Sequence, residues 1–374
     1  MNNSATIHAE ANSRVDEEEI PRFAMTKPIT QHYMLTCDLE EKIRLFELAG
    51  IAVSEKVYQA IEEFQIMLAS KLRHLMPHIE VRFIRTSEMA RQIISIAQSD
   101  QHRSIIEGSF IVSTCSEIAN PIHGYMLEVN RIIDYNGNPL GIGPRPGFPS
   151  LSEQIRALVA ASAQRPIILM EDGAFTGDSL VSIIQRIHQA GGLVRGVITG
   201  FTFPKAEAKI IKALGKNGRL ITTESVDHLV DWMPDHDFIP FMPNCGKVVG
   251  FGVKDPQASK PEDPYTDAYP FYSHDGYSRS APYLLPFCPM ADWTGINTHD
   301  LEEFKWFVNF CFEQAANIFL TLEEANEGEI TISDLKKIRP LVSVPYVLGS
   351  DLFAGAASSR IVMLLGDIKQ KIWE

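Results

Sequence analysis

Residues 165–180, RPIILMEDGAFTGDSL, run from an apolar stretch into two adjacent carboxylates, Glu171 and Asp172, and then into a turn of small and hydroxyl-bearing residues. Like charges at the end of a buried strand repel each other and lose hydration, so the pair costs stability unless a ligand uses it. The turn, Ala174, Phe175, Thr176, Gly177, Asp178 and Ser179, opens onto a helical pattern. Backbone N–H groups and two hydroxyls therefore converge on one small space. Gly177 lets a ligand approach the backbone, and the helix N-terminus adds partial positive charge. That half suits a phosphate. The carboxylate pair suits the vicinal hydroxyls of a sugar, directly or through a divalent cation. A ribose 5-phosphate spans both. An acidic pair by itself would mean only a helix cap and a solvated loop. It is the whole run of strand, acids, Thr-Gly-Asp-Ser and helix that carries the reading.

The flanking elements must hold this turn at the edge of a sheet. PIILM reads as a fully buried strand, followed by a helix DSLVSIIQRIHQA, a strand LVRGVITGF, a helix KAEAKIIKALG and a strand RLITT. Strands alternating with helices of this length imply a doubly wound α/β domain with a parallel sheet, whose ligands bind outside the carboxyl ends of the strands. Upstream, VRFIR, SFIVSTC and YMLEVNRII read as strands, and SLSEQIRALVAASA as a serine-capped helix. PLGIGPRPGFP, residues 139–149, is too rich in glycine and proline for a strand interior and is expected to be a loop. Four segments result. Residues 1–27 are a polar, acidic tail expected to be disordered, and 28–104 a helical segment with one strand. Residues 105–255 form the α/β domain, and 256–374 an aromatic, proline-rich stretch followed by C-terminal helices that form a hood or a dimer interface.

The run IILMEDGAFTGDSL resembles the signature of the type I phosphoribosyltransferases: a buried strand, two acids, and a Thr-Gly-x-Ser/Thr turn into a helix. Gly173 departs from it, standing where that family usually has an aliphatic residue. The resemblance implies that Glu171 and Asp172 hold the 2- and 3-hydroxyls of phosphoribosyl pyrophosphate (PRPP), with Mg²⁺ held indirectly by the same pair. Ala174 to Ser179 would wrap the 5-phosphate. It implies a flexible loop at residues 134–149, where Arg145 would meet the leaving pyrophosphate. A pyrophosphate loop would fall at Thr114, Cys115 and Ser116, without the usual glycines or arginine. A base-binding segment would include Lys247 and Val248. There Lys247 replaces a stacking aromatic, Lys254 an acid, and Gly200 a base-reading lysine. The implied activity is transfer of ribose 5-phosphate from PRPP to a nitrogen acceptor with release of pyrophosphate. A non-catalytic sensor of PRPP or nucleotides, or an enzyme cleaving a nucleotide's glycosidic bond, would share the fold.

The whole chain bounds these readings. It has 374 residues, 45% of them apolar and 22% charged, enough for one large core or two modest ones. A formal net charge of −13 is the wrong sign for a broad nucleic-acid surface. The sequence offers no membrane span and no targeting segment. Five cysteines without ligand spacing read as reduced thiols, hence a cytoplasmic protein, and a homodimer is the expected assembly.

Overall fold

The computed structural model describes residues 30–116, 118, 124–252, 268–298, 300–339, 341–347 and 357–373. The tail expected at 1–27 lies outside them. The described chain opens with β1 (Gln31–Cys37), then α1 (Leu39–Leu48), α2 (Glu55–Leu75), β2 (Ile79–Arg85) and α3 (Thr86–Gln98). The sequence reading has one strand here; the structure has two. β1 carries no flanking turn signal, and its buried centre Tyr33-Met34-Leu35 is too short to show a period.

β3 (Phe110–Ser113), β4 (Tyr125–Met126), β5 (Val129–Ile133) and β6 (Pro139–Pro144) follow. Two expectations change. YMLEVNRII is two strands in different sheets, broken at Leu127 and Glu128. The glycine-rich stretch at 139–144 is an edge strand, antiparallel to β5, rather than a loop. Its prolines stand at the two ends, where an edge tolerates them. Gly143 lies so close to the Ala268 carbonyl that a Cβ would come within 1.9 Å of its oxygen.

Next come α4 (Leu151–Ser162), β7 (Ile167–Ala174), α5 (Asp178–Gln189), β8 (Val194–Thr202), α6 (Pro204–Leu214) and β9 (Arg219–Ser225). Ser150 and Glu153 close a capping box on α4. The chain goes on through β10 (Leu229–Pro234), β11 (Lys247–Gly252), β12 (Ala268–Pro270) and β13 (Arg279–Ala281). It ends with α7 (Leu301–Asn326), β14 (Val344–Pro345) and α8 (Ile361–Trp373).

The expected parallel sheet is present, in the order β4-β3-β7-β8-β9. The chain steps from β3 out to β4 and then back across to β7, β8 and β9, so the order reverses at β3 as in a doubly wound sheet, with the switch point between β3 and β7. α4, α5 and α6 pack on one face through Leu158, Ile183 and Ile210. The other face is covered by α3 through Met89 and Ile93, together with Met34 and Trp232 from a second parallel sheet, β10-β1-β2. β7 is buried on both sides: Ile167 and Leu169 face the first core, Ile168 and Met170 the second. This double burial is why its sequence reads as a continuous apolar run.

The breaks between sheets do not fall at residues 104 and 255. β1 pairs with β10, joining the N-terminal segment to the central one. A third sheet, β14-β13-β11-β5-β6 with β12 alongside β11, joins the central segment to the C-terminal third. The N- and C-terminal helices share one core, in which Phe46 meets Phe319 and Phe64 stacks on Phe310. Tyr283 and Phe287 from the aromatic stretch are buried in it too. No described helix is long and apolar enough to cross a membrane, and none of the five cysteines is in a disulfide.

Candidate functional site

The cover of β7 opens at its fifth and sixth residues and closes again over Gly173 and Ala174. Met170 is fully buried, whereas Glu171 and Asp172 are half-buried on the wall of a cavity of about 250 Å³. The Asp172 carboxylate accepts the Gly173 N–H at 2.8 Å. Gly173 lies beside Phe201 of β8, and a Cβ on it would sit 2.4 Å from the Phe201 ring. The departure from the aliphatic residue of the signature thus has a steric cause. Phe201 in turn packs edge-on against Trp232 of β10, ring centroids 4.9 Å apart. Trp232 donates its indole N–H to the Thr36 hydroxyl at 3.2 Å. This contact brings the carboxyl ends of β1 and β10 opposite the carboxyl end of β7.

The turn from Ala174 to Ser179 lines the cavity throughout. Gly177 has φ +74° and is the residue before α5, whose first-turn N–H groups have no helical partners. Asp178 is tied to Lys209 of α6 at 2.5 Å, so the turn is fixed from outside the cavity. A Cβ on Gly200 would lie 2.5 Å from the Asp172 carbonyl oxygen and 2.4 Å from the Met89 side chain. A lysine at that position is sterically excluded.

The residues expected to complete the site are sorted unevenly. Thr114 and Cys115 line the cavity; Ser116 does not. Arg145 lines it as well, directly after β6. It donates to the Val129 carbonyl at 3.0 Å and to the Thr114 carbonyl at 3.3 Å, and lies 3.5 Å from the Glu128 carboxylate. Val248 is buried with Ile132 and Ala268 and does not line the cavity. Lys247 is also off the wall, but its ammonium sits 3.7 Å over the ring of Trp293, which is on it. Burial, then Arg131, pushes Lys247 down to about 8. Lys254 falls outside the described residues.

The opposite wall was not anticipated. It is built where β1 and β10 end, from Asp38, Lys42, His236 and Asp237, with Asp235 behind them. Asp235 accepts the N–H groups of Asp38 and Leu39, both at 2.9 Å, so it caps the start of α1; its second oxygen accepts from Gln65 at 2.6 Å. Asp38 meets His236 Nδ1 at 2.7 Å and Lys42 Nζ at 3.4 Å. His236 Nε2 is 3.5 Å from Asp237, whose same oxygen accepts the Gly246 N–H at 2.7 Å. Burial works against the Asp38 charge, yet His236 and Lys42 overcome it and hold the carboxyl below its usual range. Burial likewise opposes charge on His236, and Asp38 and Asp237 outweigh it, so the imidazole titrates above its usual value. Asp235 and Asp237 are pushed up, chiefly by burial. Ligand atoms of Asp38, Asp235 and His236 lie within 4.8 Å of one another. All of them are engaged in the bonds just named, so the trio reads as a proton-sharing network and not as a metal centre.

Arg131 stands between the two walls. It projects from β5 into the cavity, 5.9 Å from the Tyr283 ring, and forms no ion pair with a described residue. Tyr283, then Asp237, Asp231 and Asp172, favour its charge against burial. One guanidinium is therefore coupled to both Asp172 and Asp237. The sequence hint for this wall was slight: MPDHDF and TCDL each place acids directly after an apolar strand, as MEDG does.

No family model matches the chain, and no curated protein matches it. Among solved structures, TT1426 from Thermus thermophilus is similar at 16% identity and a TM-score of 0.26, over 39% of this chain and 85% of that one. The adenine phosphoribosyltransferase from Rhodothermus marinus DSM 4252 is similar at 13% identity and a TM-score of 0.23, over 37% of this chain and 78% of that one. Scores this low decide neither fold nor activity. The site stands on its own geometry.

Proposed function

We propose that the cavity holds a ribose 5-phosphate compound of the PRPP kind and that the bond at its C1 is made or broken there. One observation carries this reading: the Glu171–Asp172 pair and the whole turn from Ala174 to Ser179 line the same cavity, at the N-terminus of a 12-residue helix, where the partial positive charge of the helix lies. Glu171 and Asp172 take the ribose hydroxyls, and the turn takes the 5-phosphate. With PRPP the reaction is transfer to a nitrogen acceptor with loss of pyrophosphate, and chemistry is mostly positioning and charge stabilisation. Arg145 fixes the wall beside Thr114, and Arg131 supplies charge at the cavity centre. The half-buried carboxylate pair offers hard oxygen ligands of the kind Mg²⁺ takes, directly or through the ribose hydroxyls. When bound, Mg²⁺ would offset the charge of a diphosphate.

Titration calorimetry with PRPP and Mg²⁺, and with ribose 5-phosphate alone, tests the binding. Release of pyrophosphate across a panel of nucleobases tests the transfer. Heat and a thermal shift are expected with both ligands; neither at millimolar concentration would remove the reading.

A further inference from the structure

The wall facing the ribose-phosphate turn carries a proton-transfer pair that the motif does not use. Asp38 holds Nδ1 of His236 at 2.7 Å, which leaves Nε2, 3.5 Å from an Asp237 carboxylate oxygen, as the imidazole atom for exchange with a substrate. Base and orienting acid within hydrogen-bond reach, on a cavity wall, is the arrangement general acid–base chemistry needs.

The charge of the cavity says which leaving group that proton would serve. Six carboxylates line it, Asp38, Glu171, Asp172, Asp178, Asp231 and Asp237, against three permanent cations, Lys42, Arg131 and Arg145. Lys42 is occupied by Asp38, and Arg145 by two carbonyls and Glu128; of the acids, Asp178 is paired with Lys209 from outside the cavity, which still leaves five against the cations. Among the described residues of the cavity, that leaves Arg131 to meet an anion. A departing diphosphate would develop negative charge in an already acidic cavity. A departing heterocyclic base leaves neutral once protonated, and Trp232 and Trp293, which also line the cavity, supply aromatic surface for it to meet.

We infer that the site cleaves the N-glycosidic bond of a nucleoside 5′-monophosphate, with His236 Nε2 as the proton donor to the departing base and Asp38 as its positioning residue. This rests on the ribose 5-phosphate reading above and adds the leaving group to it. In the step, the bond from C1 to nitrogen breaks and its electron pair stays on the nitrogen, which takes the proton from His236. Water adds to C1 and its surplus proton returns to the imidazole, so one water is consumed and the products are free base and ribose 5-phosphate. The resting imidazole is suited to giving a proton, because burial, which disfavours its charge, is outweighed by Asp38 and Asp237. Lys42 from α1 opposes that charge, while Arg131 from β5 and the buried Asp235 complete the ionisable surroundings.

The test incubates the full chain with AMP, GMP, CMP and UMP and follows free base by chromatography across pH, beside calorimetry with ribose 5-phosphate. Base release is expected with at least one nucleotide, with kcat falling as pH rises through the His236 titration. His236→Gln is expected to bind ribose 5-phosphate within about threefold of the wild type while kcat drops roughly 100-fold or more. Asp38→Asn is expected to move the alkaline limb of the kcat profile to lower pH. Binding of ribose 5-phosphate without release of any base overturns the inference alone. So does cleavage by His236→Gln at the wild-type rate, or a wild-type profile with no alkaline limb. Failure to bind ribose 5-phosphate overturns the underlying reading together with it.

Discussion

The two walls of the cavity hold similar side chains in opposite ways. In the last half of β7, Glu171 and Asp172 are half-buried just before a turn of backbone donors. At the ends of β1 and β10, Asp38, Asp235, His236 and Asp237 are buried, and each is matched by at least one partner from another element or its own turn. The first wall presents carboxylates and backbone donors to the cavity. The second spends most of its capacity holding the protein together, and retains one exchangeable imidazole nitrogen. Substitutions should separate the two: the buried wall should lose stability, and the open wall should lose ligand.

The largest effect is expected behind the buried wall. Asp235→Ala removes the acceptor for two N–H groups at the start of α1 and for Gln65. It should cost about 4 kcal/mol in urea unfolding, the sum expected for three buried hydrogen bonds left unmade. Unchanged stability would erase the contrast between the walls. On the open wall, Asp172→Asn keeps the shape and removes one of two neighbouring charges. The unliganded melting temperature should hold or rise, while ribose 5-phosphate binding weakens by roughly 1.5 to 3 kcal/mol. A variant that melts lower yet binds as before would make the pair structural.

Asp231 lines the cavity and gives the smallest effect and the clearest pH signature. Burial, only partly offset by the Trp232 N–H and by Arg131, pushes it up to about 6. The folded form therefore binds a proton that the unfolded chain has already released between about pH 4 and pH 6, and stability falls as pH rises through that window. Asp231→Asn abolishes the penalty while keeping an acceptor for the Trp232 N–H, 2.7 Å away. It should match the wild type near pH 4 and exceed it by about 2 kcal/mol at pH 7. Equal stability at both values would show that Asp231 is not penalised.

Much of the open wall was legible because its elements are local. Strand, acids, turn and helix occupy sixteen consecutive residues, and the alternation from PIILM to RLITT reveals the parallel sheet. The buried wall was illegible for the opposite reason. Asp38 and His236 are 198 positions apart in the chain, and only the parallel pairing of β1 with β10 brings them together. Within their own segments, Asp38 reads as a helix start and PDHDF as a loop. β6 misled by composition, since glycines that usually signal a loop here let an edge strand pass close to Ala268. Arg145 lines the cavity, and the carbonyls that hold it, those of Thr114 and Val129, lie too far away in sequence to be read from its own segment.

The contact between residues 173 and 201 also constrains how this chain could have arisen. A side chain at 173 and the Phe201 ring would occupy the same volume, with a Cβ at 2.4 Å. From an ancestor with an aliphatic residue at 173, phenylalanine at 201 becomes acceptable only after glycine has appeared. Once Trp232 leans on that ring, reverting residue 173 alone is closed off. The two positions should therefore be coupled, with homologues that carry a β-carbon at the first expected to have a smaller residue at the second.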